Sequence, residues 1–290
     1  KKLNVWQILR AMDSDLQSDR SIRGQLREIK QPHQIALVLL ALVLQRPKTW
    51  LLAHPEVHLT KAQTEQLEGL LQRLEAGEPL PYLLGIQEFF GLEFEVDPLV
   101  LIPRPETELL VETALTWLNT HPSARKGLDV GTGSGCIAIS LVNNCPNLQM
   151  LATDLSATSL NVAQKNAKKH NTADRIKFVQ CNLLPDNLQL VDLVCANLPY
   201  VPTKKLVAVN SLPWEPNLAL DGGESGLDLI DELLQKAPAF VNKPGLVLLE
   251  IEETLGAQTL ELAQRYFPDA EVSLHQDLAE RNRMIRIEFK

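Results

Sequence analysis

The stretch from Gly127 to Leu141, "GLDVGTGSGCIAISL", limits this chain more than any other. An apolar run enters a tight glycine turn and leaves as an apolar helix, which defines a strand–turn–helix unit. From there to the end, short apolar runs alternate with amphipathic ones. Candidate strands are 127–131, 150–154, 176–181, 192–196, 245–251, 271–275 and 284–289, with helices near 135–144, 156–170, 226–240 and 255–267. Strands alternating with helices give an α/β fold, a mainly parallel sheet covered on both faces.

The glycine turn also carries chemistry. Gly131, Gly133 and Gly135, with Thr132 and Ser134 between them, let the backbone approach a ligand and open a helix whose first amides are free. Asp154 closes the next strand about 20 residues on, placed to accept hydrogen bonds from a ribose diol. The pattern points to a cofactor containing a nucleoside. A dinucleotide site wants its third glycine one residue later, where this chain has Cys136. Seven strands, two of them late, match the sheet of methyltransferases that use S-adenosyl-L-methionine (SAM). A nicotinamide cofactor stays as the minor alternative.

The first part of the chain has a different period. "TKAQTEQLEGLLQRLEAG" opens on Thr60 with Gln63 three residues later, a capping box, and places Leu67, Leu70, Leu71 and Leu74 on one face before Gly77. With helical segments near 3–12, 18–29 and 32–45, this makes a small helical domain. Leu92, Phe94 and Val96 then alternate with Glu93, Glu95 and Asp97 as a half-buried strand, and "FFG" ahead of them suggests a hairpin. The expected organisation is a helical domain over 1–77, a β-hairpin connector over 78–104 and a catalytic domain over 105–290.

Charge and composition remove several functions. The formal net charge is −8 and the acidity lies after residue 80, which suits a protein partner better than a nucleic acid. Cys136, Cys145, Cys181 and Cys195 form no metal-like or C-x-x-C spacing and are expected to be buried thiols. The apolar run "IALVLLALVL" at 35–44 is too short to cross a bilayer and reads as a core helix. The opening residues carry no signal-peptide core, so a cytoplasmic location and no membrane partner are expected. A monomer is expected too.

The strand at 192–196 ends in "CANLPYVPT". Methylating a nitrogen conjugated to a planar group requires an oriented NH2 and stabilised positive charge. The Asn197 side-chain oxygen and the Leu198 carbonyl can accept its two N–H bonds, Pro199 offers no competing donor, and the Tyr200 ring can stack on the planar group. A turn leaving a strand would explain Asn-x-Pro-Tyr alone; beside the glycine loop and Asp154, chemistry explains it better. A cofactor-binding protein without catalysis fits less well.

This tetrapeptide resembles the N-P-P-Y element of amino methyltransferases. With "GEPLPYLLGIQEFFGLEFEVDPLVLIPRPETELLV", "EPNLALDGGESGLDLI" and "DLAERNRM", nearly the whole chain is similar to the PrmC/HemK family, glutamine N5-methyltransferases of class-I peptide-chain release factors. The resemblance implies a class I, Rossmann-like SAM methyltransferase sheet, a release factor as protein substrate, and methylation of the glutamine in its Gly-Gly-Gln motif. It assigns the cofactor to Gly131, Thr132, Gly133, Ser134, Gly135 and Asp154, with Asn182 and Leu183 beside the adenine and Asn197 at its methyl end. The substrate amide falls to Asn197, Leu198, Pro199 and Tyr200. The sequence departs from the pattern twice. Asn182-Leu183 stands where the family often has Asp-Trp, and Leu198 where it has proline, a change expected to be neutral because the carbonyl is kept. The N-L-P-Y spelling also occurs in ribosomal RNA adenine N6-dimethyltransferases, the runner-up, whose helical domain follows the catalytic one. A ribosomal protein is a further possible glutamine acceptor. "KNAKKH" at 165–170 is expected to be a solvated helix end.

Overall fold

The computed structural model describes Val5, residues 32–208 and residues 214–290. Its contacts divide the chain into two units, one ending at Gly85 and one from Ile86 to Lys290.

The first unit holds α1 (Pro32–Leu44), α2 (Lys48–Ala53), α3 (Lys61–Glu75) and α4 (Leu80–Leu84). Leu39, Leu40, Leu51, Leu67 and Leu71 form its buried core, so the apolar run at 35–44 is a core helix as its length implied. Thr60 caps α3 reciprocally: Gln63 N–H donates to Thr60 Oγ1 at 3.3 Å and Thr60 N–H donates to Gln63 Oε1 at 2.9 Å. At the other end Arg73 grips the buried Glu78 carboxylate with Nε at 2.8 Å and Nη2 at 2.6 Å. The short helices α2 and α4 were not anticipated, because neither is long enough to show a period; each starts directly after a proline, Pro47 and Pro79. The helices expected at 3–12 and 18–29 lie outside the described residues, Val5 excepted.

The second unit opens with the hairpin β1 (Ile86–Phe89) and β2 (Leu92–Glu95), turned by Phe90 and Gly91, both at positive φ, as a two-residue hairpin loop requires. A single turn of 3-10 helix (Pro105–Thr107) leads into α5 (Glu108–Thr120). Then follow β3 (Lys126–Val130), α6 (Cys136–Asn144), β4 (Gln149–Asp154), α7 (Ala157–Lys169), β5 (Ile176–Gln180), β6 (Val191–Ala196) and α8 (Thr203–Ala208). The chain ends with α9 (Asp228–Lys236), β7 (Val241–Glu250), α10 (Gly256–Tyr266), β8 (Glu271–Gln276) and β9 (Asn282–Phe289). The seven strands β3 to β9 form one sheet in the order β5-β4-β3-β6-β7-β9-β8. It is parallel except for β9, which runs antiparallel to both β7 and β8. Each expected strand is present, displaced by a few residues at most. One face packs on α5 and α6 through Leu110, Trp117, Ile137 and Leu141, the other on α9 and α10 through Ile230, Leu234 and Ala263.

The hairpin is bonded to α7 and the glycine loop of the same unit. Asn166 on α7 exchanges hydrogen bonds with Glu95, N–H to Oδ1 at 2.7 Å and Nδ2 to O at 3.0 Å, and Nδ2 also donates to Ser134 O at 2.9 Å. Lys169 pairs with Glu93 at 2.7 Å and His170 Nε2 meets the Glu93 carbonyl at 2.8 Å. The end of α7 is therefore not merely solvated, as the charge pattern suggested; its side chains hold the hairpin against the glycine loop.

Candidate active site

Strand register decides which residues meet. Val130 pairs with Thr153 on one side and Ala196 on the other, and Ala196 pairs in turn with Leu249. Gly131, Asp154, Asn197 and Glu250 are thus the neighbouring residues at the carboxyl edge of four adjacent strands. The chain order reverses between β3 and β6, the switch point where open α/β sheets bind ligands.

A cavity of about 460 Å³ opens there, lined by Gly131, Gly133, Asp154, Asn182, Leu183, Asn197, Leu198 and Pro199 among others. Thr132 and Ser134 are buried within the loop, and Tyr200 is half-buried just beyond Pro199. The expected site residues thus come together. Gly133 has a φ of 56° and a Cβ there would meet no protein atom within 4 Å, so its missing side chain leaves the cavity open. Gly135 serves packing instead, because a Cβ would stand 2.9 Å from Ile139 and 3.1 Å from Ala163.

Asp154 holds the loop as well as facing the cavity. Gly133 N–H donates to its Oδ2 at 2.9 Å and Ser156 N–H to its Oδ1 at 2.8 Å, while burial raises its pKa. Each oxygen keeps a lone pair for a ligand hydroxyl. Leu155 beside it is 50% exposed, and with Leu99 and Leu218, also exposed, it gives the cavity apolar walls. Leu183, by contrast, is buried at a φ of 56° and packs mainly into the core under α9, with its carbonyl accepting from Thr153 Oγ1 at 2.7 Å. These apolar walls and the carboxylate fit an adenosine: a flat face on leucine, a diol on Asp154.

Three residues of this edge escaped the sequence analysis. Asp129 is wholly buried, accepts from Thr132 Oγ1 at 2.7 Å and Ala138 N–H at 3.2 Å, and so ties the loop to the start of α6. Burial pushes it up to about 6. Thr107, buried at the turn before α5, accepts from Asn197 Nδ2 at 3.1 Å. Glu250, 3% exposed, ends β7 next to Asn197, and burial pushes it up to about 7. A carboxylate inside an otherwise apolar strand end was the available signal for Asp129, and one closing such a strand for Glu250. Burial likewise pushes the Tyr200 phenol up to about 12.

Leu198 is also more than a carrier of its carbonyl. It is 3% exposed in the core under α9, and its Cδ2 would lie 3.2 Å from a Cβ on Gly131. The segment after Pro199 is clamped by residues 220–223. Val201 N–H donates to Leu220 O and Gly222 N–H to Val201 O, both at 2.9 Å, and Thr203 Oγ1 donates to Asp221 Oδ1 at 2.6 Å. Glu215 is a structural anchor: its carboxylate takes Ile102 N–H at 3.1 Å and Arg104 Nη2 at 2.5 Å.

A seven-stranded sheet of this order, with a glycine loop and an acid at its switch point, defines a class I, Rossmann-like methyltransferase. The catalytic domain of hMettl16, solved in complex with a 3′UTR hairpin, shares this fold at a TM-score of 0.54 and 20% identity, over 74% of this chain and 82% of that one. The PrmC N-terminal domain family matches residues 20–85, and the methyltransferase small domain family residues 105–212. The bifunctional methyltransferase of Rickettsia bellii is 34% identical over 89% of this chain. This chain spans only 51% of that relative, about half its length. The release factor glutamine methyltransferase of Moorella thermoacetica is 41% identical over 81% of this chain and 84% of its own length. The chain belongs to the family of release factor glutamine methyltransferases.

Among the described residues no helix is long and apolar enough to cross a membrane. The four cysteines are free thiols, with Cys136 and Cys195 buried and Cys145 and Cys181 partly so.

Proposed function

We propose that this chain methylates the side-chain amide nitrogen (N5) of the glutamine in the Gly-Gly-Gln motif of class-I peptide-chain release factors, with SAM as methyl donor. The observation that carries this reading is the setting of Asn197: its Nδ2 is held by Thr107 at the edge of the cavity, which leaves Oδ1 as a free acceptor.

Gly131 to Gly135 and Asp154 would hold the cofactor, with Asn182, Leu183 and Leu155 near its base and Asn197 near its reactive end. When bound, SAM supplies a methyl group on a sulfonium, electrophilic enough for a weak nitrogen nucleophile. Asn197 Oδ1 and the Leu198 carbonyl accept the two N–H bonds of the glutamine amide and turn its nitrogen toward the cavity. Their hold tightens as that nitrogen becomes positive, so it favours the transition state. Tyr200 offers a ring face to the same charge. Pro199 keeps the local backbone stiff and adds no donor. The product amide is a strong acid while cationic and loses its proton to water.

Residues 1–77 serve acceptor recognition in this account, since every group just named lies beyond them. The protein works as a cytoplasmic monomer on a protein substrate without direct nucleic-acid contact. Incubation with labelled SAM and, separately, a class-I release factor, ribosomal proteins and ribosomal RNA tests the proposal. Label in the release factor supports it; label in RNA alone overturns it.

A further inference from the structure

Among the described residues, Glu250 is a buried carboxyl at the sheet edge that the chemistry above leaves without a task. It neighbours Asn197 by strand register, since Leu249 pairs with Ala196. Its surroundings are named by the groups that act on its charge. Thr107, Asn197 and Arg283 from β9 each favour its ionised form, and Glu106 opposes it. Its charge also acts on the Tyr200 phenol, raising its pKa. Its Oε2 is buried without a partner. A side-chain amide can sit in two orientations, differing only in which end is oxygen. Asn197 Nδ2 has two hydrogens: one goes to Thr107 Oγ1 at 3.1 Å, and the Glu250 carboxylate lies beside it at the neighbouring strand end. Glu250 adds a second buried acceptor on the inward side, where its Oε2 has no hydrogen-bond partner.

We propose that Glu250, acting with Thr107, is a positioning residue that fixes the Asn197 amide with nitrogen inward and Oδ1 toward the acceptor. This rests on the reading of Asn197 as the acceptor-binding group. A flipped amide would present NH2 to the NH2 of the acceptor, two donors face to face, and would bind neither the ground state nor the transition state. Burying a carboxylate here costs stability, and the orientation of one amide is what it gives in return.

Glu250→Gln separates this role from a structural one. Glutamine has nearly the same shape but turns a donor toward Asn197, so the amide is free to flip. Turnover should fall by about tenfold or more, approaching the ~10²–10³ of losing a transition-state contact outright. SAM affinity should hold, and the melting temperature at pH 8 should stay level or rise, because a buried charge has gone. Thr107→Val should copy the turnover defect and Thr107→Ser should rescue it. In an Asn197→Ala background, adding Glu250→Gln should change turnover by less than about twofold, the signature of residues acting as one unit. Wild-type turnover in Glu250→Gln, or full additivity with Asn197→Ala, overturns the proposal.

A second measurement needs no turnover. With 15N-labelled asparagine, the Asn197 side-chain NH2, assigned by its loss in Asn197→Ala, should exchange slowly in the wild type and faster in Glu250→Gln. Equal exchange in both overturns the relay. A wild-type chain that methylates no glutamine acceptor would sink the functional reading, while the exchange experiment would still decide the role of Glu250.

Discussion

Asn197 Nδ2 donates to Thr107 Oγ1 at 3.1 Å across 90 residues of sequence, joining the loop that closes β6 to the turn that opens α5. That bond sets the amide oxygen free, and turnover should depend on it. Asn197→Ala should lower single-turnover methylation by about 10²–10³ while leaving SAM affinity nearly intact. Tyr200→Phe should be mild because the ring face acts; Tyr200→Ala should be severe. Rapid-quench assays with a Gly-Gly-Gln protein measure both. A fully active Asn197→Ala enzyme would reduce the tetrapeptide to a turn.

Asp154 faces the cavity and holds Gly133 N–H at 2.9 Å, so its loss acts on ligand and loop together. Asp154→Ala should weaken SAM by roughly 1.5–3 kcal/mol per hydrogen bond lost, about 10-fold or more. Titration calorimetry reads this directly. Unchanged affinity, or tight binding of NAD instead, would contradict the cofactor assignment.

Burial raises Asp129 to about 6 and Glu250 to about 7, above the ordinary values of 3.8 and 4.5 that an unfolded chain keeps. The folded chain therefore binds more protons than the unfolded one between those limits. The contribution of these groups is fully present below about pH 4 and is lost as pH rises through 6 and 7. Urea midpoints of the ligand-free protein should fall from pH 5.5 to pH 8, and the fall should be shallower in Glu250→Gln. A cation bound in the cavity favours the ionised carboxylates, so SAM binding near pH 6.5 should release protons, seen as a buffer-dependent heat.

Leu198 is buried against the glycine loop, so proline there, expected to be neutral for activity, acts on packing instead. Leu198→Pro should keep turnover, since the accepting carbonyl remains, yet lose about 1 kcal/mol of stability for the core contact removed. Denaturant unfolding alongside kcat separates the two effects. A Leu198→Pro chain as stable as the wild type would show that the loop repacks without strain.

The fold was largely legible because the central strands of the sheet are runs of buried aliphatic residues bounded by turn residues, and the run lengths alone separate strand from helix. "VDLVCA" and "GLVLLE" could be placed from their own letters. The glycine loop and Asp154 were legible for the same reason, being local to one strand–turn–helix unit and the next strand. Thr107 and Glu250 were not. Their place beside Asn197 comes from contacts between segments distant in sequence, Thr107 through a side-chain hydrogen bond and Glu250 through the register of Ala196 against Leu249, and no local period encodes that. Leu155 was missed differently: an exposed leucine looks unremarkable until the sheet edge shows that it walls a cavity. Asp221 and Glu215 are hydrogen-bonding anchors that no local pattern announces, one holding Thr203 and the other Ile102 and Arg104.

The central claim is that the group oriented by Asn197 is a glutamine amide. Mass-spectrometric mapping of a class-I release factor after incubation with this chain and SAM tests it most directly. The account predicts one added methyl, on the side-chain nitrogen of the glutamine in Gly-Gly-Gln, and only about 1% or less of that methylation when Asn197→Ala replaces the wild type over the same time. A release factor left unmodified by a chain that binds SAM tightly and methylates adenine in ribosomal RNA would contradict it.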